Sequence, residues 1–520
     1  MELGETSDSV EVGVIGGGAA AVCLLDALAE TDAAPGGITV FEPSSHLWRG
    51  RPYQPDLETV RVNIAPEGMS VRFGDNGHFR RWLAEQALTV GLSADYEDPY
   101  IGTTFVPRAM YGRYLEQSAQ QALTRLRQRG WRIDVMRERV AAATATGSGI
   151  TLRTERGNRS TVNYTVLCVG RGISGDTYSL TGSPDFIADP YPLARSLTGI
   201  DADSEVAVVG SGLTGVDGVL SLAARGHRGR ILLLSRSGIL PMVRQKPSPY
   251  TLRHFTPERF RDAAAHGQML TLDSVIATMR AELAAAGEDF GSVAEEIRAF
   301  TDDDPVRRLR RHMAEVDSPS RALRILQHAV PATGPDVWPL LPEHEKDELL
   351  RRHYRTVMSM CCPMPPASAA TLLDLIDAGQ LEILPGVRHI EPLDSGGFTI
   401  RVGTGGPEYR TDIVVNAVNA ATHRVSAEAE PLVASLTANG LAERHPRGGV
   451  RVERATSRLM VNGKTDPRLY ALGDLASGSL FFTFGLPSIV DRAYDIVGAI
   501  HDDAMAAGSS LAGDDVMQHA

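Results

Sequence analysis

The most informative residues near the amino terminus are three small ones that follow a short apolar run. The run is Val10–Ile15, and Gly16, Gly18 and Ala21 follow it in the spacing G-x-G-x-x-A. The first glycine permits a tight turn, the second lets the backbone approach a pyrophosphate, and the third lets a helix pack on a strand. The helix predicted over Ala19–Ala29 also offers free N–H groups to that pyrophosphate. We therefore expect a dinucleotide to contact Gly16, Gly18, Ala19 and Ala21.

A carboxylate ends the next predicted strand. The strand spans Ile38–Phe41, and Glu42 follows it directly. A carboxylate at this place accepts hydrogen bonds from ribose hydroxyls and repels a 2′-phosphate. The first pattern therefore favours FAD or NAD over NADP. The alternative is a glycine-rich strand-to-helix turn that binds no ligand.

The same spacing recurs in the middle of the chain. A strand is predicted over Glu205–Val209, and a helix is predicted over Leu213–Ala224. By the same argument, the turn between them is expected to bind a second pyrophosphate. The expected contacts are Gly210, Gly212, Leu213, Thr214 and Gly215.

The residue that ends the second strand has opposite charge in the two units. Arg236 lies 26 residues after Gly210, as Glu42 lies 26 residues after Gly16. A guanidinium can bind the 2′-phosphate of NADPH through two parallel hydrogen bonds, with help from the neighbouring Ser235. The second unit is therefore expected to prefer NADPH. The alternative is that Arg236 is a solvated surface residue.

Two further strand ends suit contact with a bound cofactor. The predicted strand Thr161–Val169 ends in Gly170 and Gly172, where the chain can pass close beside a ligand. A later apolar run, Leu469–Leu472, ends in Gly473 and Asp474 before a helix. The Asp474 carboxylate can accept a ribityl hydroxyl while the N-terminus of the following helix faces phosphate.

Charge and composition exclude several other classes of protein. The 520 residues carry a net charge of −12, which argues against a general nucleic-acid binder. No apolar run is long enough to span a bilayer, and the acidic N-terminus is not a secretory signal, so a cytoplasmic protein is expected. The four cysteines form no C-x-x-C, so no redox dithiol and no metal site is expected.

These patterns predict an α/β protein with two Rossmann-like, three-layer dinucleotide-binding domains and a helical insertion. The insertion begins at the helix-start signal Thr256-Pro257. The predicted division is residues 1–195 and 381–505 for the FAD-binding domain, 196–255 and 355–380 for the NADPH-binding domain, 256–354 for the insertion as a candidate substrate domain, and 506–520 for a flexible tail.

Several motifs together resemble those of a known family. They span most of the chain outside the insertion: VIGGGAAAV at 14–22, RGRPYQPDLETVRVNIAPEGMS at 49–70, FVPRAMYGRYL at 105–115, DPYPL at 189–193, VVGSGLTGVD at 208–217 and ALGD at 471–474. The chain resembles FAD-NAD(P)-binding flavoproteins related to N-hydroxylating flavin monooxygenases. The stretch 49–70 is the most family-specific of these motifs.

The resemblance implies FAD in the first unit, NADPH in the second, and an oxidoreductase activity. NADPH would reduce FAD, and the reduced flavin would bind dioxygen as a C4a-hydroperoxide that oxidises a small amine or amino acid. Relatives act in siderophore and natural-product biosynthesis. Whether the protein forms a homo-oligomer is left open.

The resemblance also implies that the 49–70 loop lies along the flavin, with Arg49, Met69 and Ser70 as cofactor contacts. Asn63 is a catalytic candidate for a hydrogen bond to the oxygenated flavin or to the substrate. The alternative is an asparagine that only closes a loop turn.

Arg108 is the second catalytic candidate. It could neutralise a cofactor phosphate or a substrate carboxylate, or it could pair with a nearby Glu or Asp. Tyr111 and Arg113, on the same predicted helix, are weaker candidates.

Other functions remain compatible with the same motifs. One is another flavin-dependent oxidoreductase: an S-oxygenase, a Baeyer–Villiger oxygenase or a dehydrogenase. A different class is a non-catalytic NADPH sensor, which would bind no flavin.

Overall fold

A computed structural model describes residues 10–32, 34–90, 96–147, 149–173, 175–418 and 424–517, with the backbone alone at 89–90 and 507–517. Along these residues, no helix combines the length and the apolar composition needed to cross a lipid bilayer.

The elements follow one another in three groups. The first group is β1 (Glu11–Ile15), α1 (Ala19–Glu30), β2 (Gly37–Phe41), α2 (His78–Val90), α3 (Arg108–Gln128), β3 (Arg132–Met136), β4 (Val140–Ala145), β5 (Ile150–Thr154), β6 (Arg159–Val162) and β7 (Tyr164–Leu167). The second is β8 (Phe186–Ile187), α4 (Leu193–Ser196), β9 (Val206–Val209), α5 (Leu213–Ala224), β10 (Ile231–Ser235), α6 (Pro257–Ala265), α7 (Leu272–Ala285), α8 (Gly291–Asp302), α9 (Pro305–Ala314), α10 (Ala322–Val337), α11 (Glu343–Glu348), α12 (Tyr354–Cys361) and α13 (Pro366–Asp377). The third is β11 (Leu381–Pro385), β12 (Val387–Pro392), β13 (Phe398–Val402), β14 (Glu408–Thr411), β15 (Ile413–Asn416), α14 (Glu430–Ala438), β16 (Arg458–Val461), β17 (Lys464–Ala471), α15 (Ser477–Leu480) and α16 (Leu486–Met517).

The first sheet has the strand order β16-β17-β7-β1-β2-β3. All of its pairs are parallel except β16 with β17. Alternate residues of β1 face opposite layers: Val12 and Val14 pack with α1 and α16, whereas Ile15 packs with the β4-β5-β6 sheet. Burial on both faces explains why the strand is an unbroken apolar run.

The second sheet repeats this architecture with the order β11-β10-β9-β15-β8, all parallel. Val206 and Val208 of β9 pack in the core that also contains α5 and α13, whereas Ala207 and Val209 pack against the β12-β13-β14 sheet. The predicted α/β class with two dinucleotide-binding units is confirmed.

The strand partners differ from the predicted division of the chain. Residues 381–505 were assigned to the FAD-binding domain, but β11 and β15 pair with β10 and β9 of the second sheet. The predicted strand Thr161–Val169 contains the end of β6 and the whole of β7, which belong to different sheets. Apolar periodicity marks a strand, but it does not tell which sheet the strand joins.

The helical insertion begins as predicted and ends later than predicted. The Thr256 side chain accepts a hydrogen bond from the Arg259 backbone N–H, and helices continue through Cys361 rather than ending at Tyr354. The insertion has its own core around Phe260, Leu283 and Val293. At the other end of the chain, α16 continues to Met517, beyond residue 506 where the tail was expected to begin.

Candidate functional site

The small residues of the first glycine turn let its backbone approach a ligand closely. Gly16 has φ +105°, and a Cβ atom there would lie 2.6 Å from the Cys168 carbonyl oxygen. Gly18 is the N-cap of α1, and its Cβ would meet Gly50 at 3.4 Å. Ala19 begins α1, and Ala21 is fully buried behind the turn. These residues therefore fit a pyrophosphate at the N-terminus of α1.

Glu42 lies directly beside this turn. One carboxylate oxygen accepts the Gly17 N–H at 2.7 Å, and the other accepts the Ser44 N–H at 2.7 Å. Each carboxylate oxygen can accept a further hydrogen bond. The geometry thus leaves acceptors for ribose hydroxyls and places a negative charge where a 2′-phosphate would be repelled.

The loop predicted to follow the flavin returns to the glycine turn at its start. The Trp48 N–H donates to the Gly17 carbonyl at 2.7 Å. Arg49, however, uses its guanidinium within the protein: it pairs with Glu116 at 2.6 and 2.8 Å and donates to the Ala109 carbonyl. Arg49 therefore positions the loop on α3, and its role as a cofactor contact stays a prediction.

The end of the same loop is held by tyrosines of α3. The Tyr111 hydroxyl donates to the Met69 carbonyl at 2.9 Å, and the Val71 N–H donates to the Tyr114 hydroxyl at 3.1 Å. Met69 and Ser70 are both buried. Arg113 is exposed. Tyr111 thus acts by fixing the backbone of the loop.

Arg108 forms a buried ion pair, which is one of the two alternatives that the sequence left open. Its guanidinium lies 2.8 Å from the Asp217 carboxylate and donates to the Tyr191 hydroxyl at 3.0 Å and to the Arg61 carbonyl at 3.1 Å. Burial opposes the charge of Arg108, but Asp217 and Tyr191 raise its pKa above the ordinary value. Since Asp217 is on α5, this pair joins the first unit to the second.

The second glycine turn matches the first in geometry. Gly210 has φ +118°, and its Cβ would lie 2.4 Å from the Ala417 carbonyl oxygen. A Cβ at Gly215 would lie 1.9 Å from the Gly210 carbonyl oxygen. Gly212 is the N-cap of α5, which begins with Leu213 and Thr214. This turn also fits a pyrophosphate at a helix N-terminus.

Two arginines lie beyond the end of β10, although the sequence indicated one. Arg236 is exposed, and Arg355 of α12 reaches the Ser237 hydroxyl at 3.4 Å. Burial and the neighbouring charge of Arg236 lower the pKa of Arg355. Ser235 accepts the Gly238 N–H at 2.7 Å. Among the described residues, neither guanidinium has a carboxylate partner, so both are available to an anion.

Asp474 and Gly170 are neighbours at the ends of β17 and β7. A Cβ at Gly170 would lie 3.9 Å from the Asp474 carboxylate, which pairs with Arg171 at 3.0 Å. Gly473 has φ +94°, a conformation that favours glycine. Arg171 was not predicted as a site residue. Its place directly after Gly170, a predicted cofactor contact, is the feature of the sequence that could have indicated it.

Asn63 connects distant segments and does not close a local turn. Its side-chain amide N–H donates to the Pro363 backbone carbonyl at 3.2 Å. Its own backbone carbonyl accepts a hydrogen bond from the Arg244 guanidinium at 2.6 Å. Nearby, Cys361 and Cys362 are free thiols. Burial raises the pKa of Cys362 to about 11, and the charges of Arg244 and Arg171 partly oppose that shift. Within the described residues, no group of side chains could hold a metal ion.

Fold and site together define a protein with two dinucleotide-binding units. The sequence model of the FAD-NAD(P)-binding family matches residues 13–172. A search of the curated proteins gave no match. The predicted cofactor class, FAD and NAD(P), and the predicted family resemblance are thereby confirmed.

Solved structures of similar fold cover nearly the whole chain. A cadaverine monooxygenase of desferrioxamine biosynthesis from Erwinia amylovora, bound to FAD, has a TM-score of 0.58 at 14% identity, covering 94% of each chain. Ornithine N-hydroxylase from Kutzneria sp. 744, with reduced FAD, NADP+ and L-ornithine, has a TM-score of 0.54 at 14% identity, covering 95% of this chain and 99% of that chain. Ornithine hydroxylase from Pseudomonas aeruginosa gives the same values. At this identity the likeness establishes the fold.

Proposed function

We propose that the protein is an FAD- and NADPH-dependent monooxygenase that N-hydroxylates a small amine or amino acid in a biosynthetic pathway. The observation that carries the proposal is the contrast between the two turns. Glu42 gives the first turn a carboxylate, whereas Arg236 and Arg355 give the second turn two guanidiniums. Such a pair of turns suits one cofactor with a bare ribose and one with a phosphorylated ribose.

The residues divide the work of holding the two cofactors. Gly16, Gly18 and Glu42 would hold the adenosine half of FAD. At the other end of the cofactor, the Asp474 carboxylate would accept a hydrogen bond from a ribityl hydroxyl. Gly210 and Gly212 would hold the NADPH pyrophosphate, with Arg236 and Arg355 on the 2′-phosphate. Bound FAD would supply the redox chemistry, by accepting hydride from NADPH and activating dioxygen.

The protein itself contributes position and exclusion of water. Arg49 and Tyr111 hold the 49–70 loop rigidly, and the Arg108–Asp217 pair fixes the first unit against the second. Asn63 joins the loop to Pro363, which follows the last helix of the insertion. Exclusion of water from this place would protect a reactive oxygen species.

The test is a purified protein assayed with NADPH, dioxygen and a panel of amines. We expect a yellow protein with flavin absorbance, amine-stimulated NADPH oxidation and a hydroxylamine product. Hydrogen peroxide is measured in parallel, because peroxide without hydroxylamine means that electrons pass to oxygen unproductively. A colourless protein that binds NADPH would indicate a sensor, and a flavin enzyme that acts only on sulfides or ketones would indicate another oxygenase.

A further inference from the structure

The turn that follows β10 presents two side chains to solvent and buries the two residues that flank them. Arg236 and Ser237 are exposed, whereas Ser235 and Gly238 are buried. The Ser235 Oγ atom accepts the Gly238 N–H at 2.7 Å, which closes the turn. The direction of Arg236, and with it the proposed contact with a 2′-phosphate, therefore depends on what fixes this 235–238 turn.

Three consecutive backbone carbonyls, at the end of the turn and just after it, each accept a hydrogen bond from a side chain of a different element. The pairs are the Gly238 carbonyl with Arg308 of α9 at 2.8 Å, the Ile239 carbonyl with Ser211 at 2.7 Å, and the Leu240 carbonyl with Ser359 of α12 at 2.5 Å. Ser211 belongs to the second glycine turn, so the two parts of the proposed coenzyme site are joined directly. The other two donors come from the helical insertion.

Helix α9 packs with the second unit, although the insertion also has a core of its own. Leu309 is buried in the hydrophobic core that contains β9, α5 and α13, whereas Phe260 and Leu283 are buried in the core of the insertion. Pro305, the first residue of α9, lies against the turn, since a Cβ atom at Gly238 would be 2.8 Å from its ring. Gly238 also has φ +66°, so a larger residue there would both clash and be strained.

Arg308 lies between this helix and the turn and has almost no contact with solvent. Its exposed fraction is 2%, and its guanidinium lies 5.0 Å from the centre of the Phe300 ring. Besides the Gly238 carbonyl, the guanidinium donates to the carbonyls of Ala299 and Asp303 at 3.2 Å each. Without Arg308, these buried carbonyls would lose a donor, which is costly. The side chain therefore fixes the turn against the end of α8.

We propose, resting on the function proposed above, that the helical insertion completes the site for the 2′-phosphate of NADPH. Arg308 is then a positioning residue: it does not touch the coenzyme, but it holds the 235–238 turn so that Arg236 faces the phosphate. On the other side, Arg355 of α12 reaches the Ser237 hydroxyl at 3.4 Å and supplies the second guanidinium. Helices α9 and α12 of the insertion thus serve coenzyme recognition.

The experiment compares two fragments of the coenzyme that differ only in the phosphate, 2′,5′-ADP and 5′-AMP. Their affinities for the FAD-loaded enzyme are measured by calorimetry, and flavin content and thermal unfolding are recorded for each variant. We expect the wild-type enzyme to bind 2′,5′-ADP at least about tenfold more tightly than 5′-AMP.

Arg308→Met fills a similar volume but cannot donate a hydrogen bond. We expect it to weaken 2′,5′-ADP binding by about tenfold and to leave the affinity for 5′-AMP and the flavin content unchanged. Gly238→Ala disturbs the turn while keeping the buried guanidinium, and it should have the same effect. It also serves as the second variant should Arg308→Met fail to fold. Arg310→Met is the matched control, because Arg310 lies on the same helix but pairs with Asp377 at the surface.

The inference alone is overturned if the wild-type enzyme prefers 2′,5′-ADP and a variant of Arg308 or Gly238 that holds FAD keeps that preference. It is also overturned if the affinities for both fragments fall equally, or if Arg310→Met has the same effect, since a general loss of structure would then be the cause. If the wild-type enzyme itself does not distinguish the two fragments, the NADPH preference in the proposed function fails, and this inference fails with it.

Discussion

At the scale of single residues, the charge at the end of the second strand separates the two turns. The Glu42 carboxylate accepts two backbone N–H groups, which hold its charge beside the first glycine turn. Arg236 is exposed, and Arg355, from another part of the chain, contacts the neighbouring Ser237. The proposed preference of the second turn for NADPH therefore depends on two arginines.

Removal of either arginine should weaken the binding of NADPH and not that of NADH. For Arg236→Ala and for Arg355→Ala we expect KM for NADPH to rise about tenfold, or about 1.4 kcal/mol, with KM for NADH unchanged, since only NADPH has the 2′-phosphate. Steady-state kinetics with both coenzymes measure this. Arg228→Ala is the control, because Arg228 is an exposed arginine of the same unit that pairs with Asp203. An unchanged NADPH-to-NADH ratio would contradict the assignment.

Replacement of Arg108 should mainly lower the stability of the protein. In Arg108→Ala, Asp217 is left buried without its cationic partner, which we expect to lower the free energy of unfolding by about 3–5 kcal/mol. Urea denaturation of the purified variant measures this. Arg113→Ala, at an exposed arginine of the same helix, should change it by less than about 0.5 kcal/mol. A stable Arg108→Ala protein that has lost amine oxidation would instead support a catalytic role.

At the scale of elements, each glycine turn should serve its own cofactor. An added Cβ at Gly16 or at Gly210 meets a backbone carbonyl at 2.6 or 2.4 Å. We expect Gly16→Ala to lose FAD and keep NADPH binding, and Gly210→Ala to do the reverse. Flavin content and calorimetry with NADPH distinguish the two.

Gly226→Ala is the control for this experiment. It separates the clash of an added Cβ with a backbone carbonyl from the strain of a positive φ. Gly226 also has a positive φ, +77°, but its Cβ would meet nothing within 4 Å. It should keep both cofactors. Loss of both cofactors in all three variants would mean that the two turns do not act independently.

The helical insertion contains an ion pair that should make its stability depend on pH. Glu296 of α8 lies 2.7 Å from His312 and 2.6 Å from Arg311 of α9. Burial opposes its charge, but His312 and Arg311 lower its pKa from 4.5 to about 2. Because the folded pKa lies below the unfolded value, the stabilisation is complete above pH 4.5 and is lost as the pH falls towards 2.

Hydrogen exchange of the α8 and α9 amides, corrected for the intrinsic effect of pH, should therefore report weaker protection at about pH 3 than at about pH 5. The full effect is on the order of 3 kcal/mol. Glu296→Gln should remove this pH dependence, whereas Glu295→Gln, at the exposed neighbour, should retain it. Equal pH dependence in both variants would show that another group is responsible.

At the scale of the whole molecule, the first sheet is built from both ends of the chain. β17 pairs with β7, and α16 packs on α1. A fragment of residues 1–195 lacks both, so the core side of β7 and α1 would be exposed. We expect this fragment to retain no FAD after gel filtration, and co-expression with residues 424–520 to restore flavin absorbance. Stoichiometric FAD on the fragment alone would contradict the shared sheet.

The local parts of this architecture could be predicted from the sequence. The glycine turns, the Thr256 helix start and helix α5 were found because each depends on residues adjacent in the chain. Gly170 and Asp474 were each predicted as cofactor contacts, but it is the structure that places them side by side, at the shared edge where parallel strands end. The sheet membership of β11 and β15 did not follow, because similar apolar strands fit either sheet.

The sequence by itself determined which backbone turns can accept a pyrophosphate and which charge stands beside each of them, since those properties are set within about 30 residues. Only the tertiary structure decided that Arg108 is neutralised by Asp217, that Arg355 joins Arg236, and that Arg244 binds the backbone carbonyl of Asn63. The physical reason is that a charged side chain takes its role from its partners, and these partners come from segments that meet only when the two sheets and the insertion have packed together.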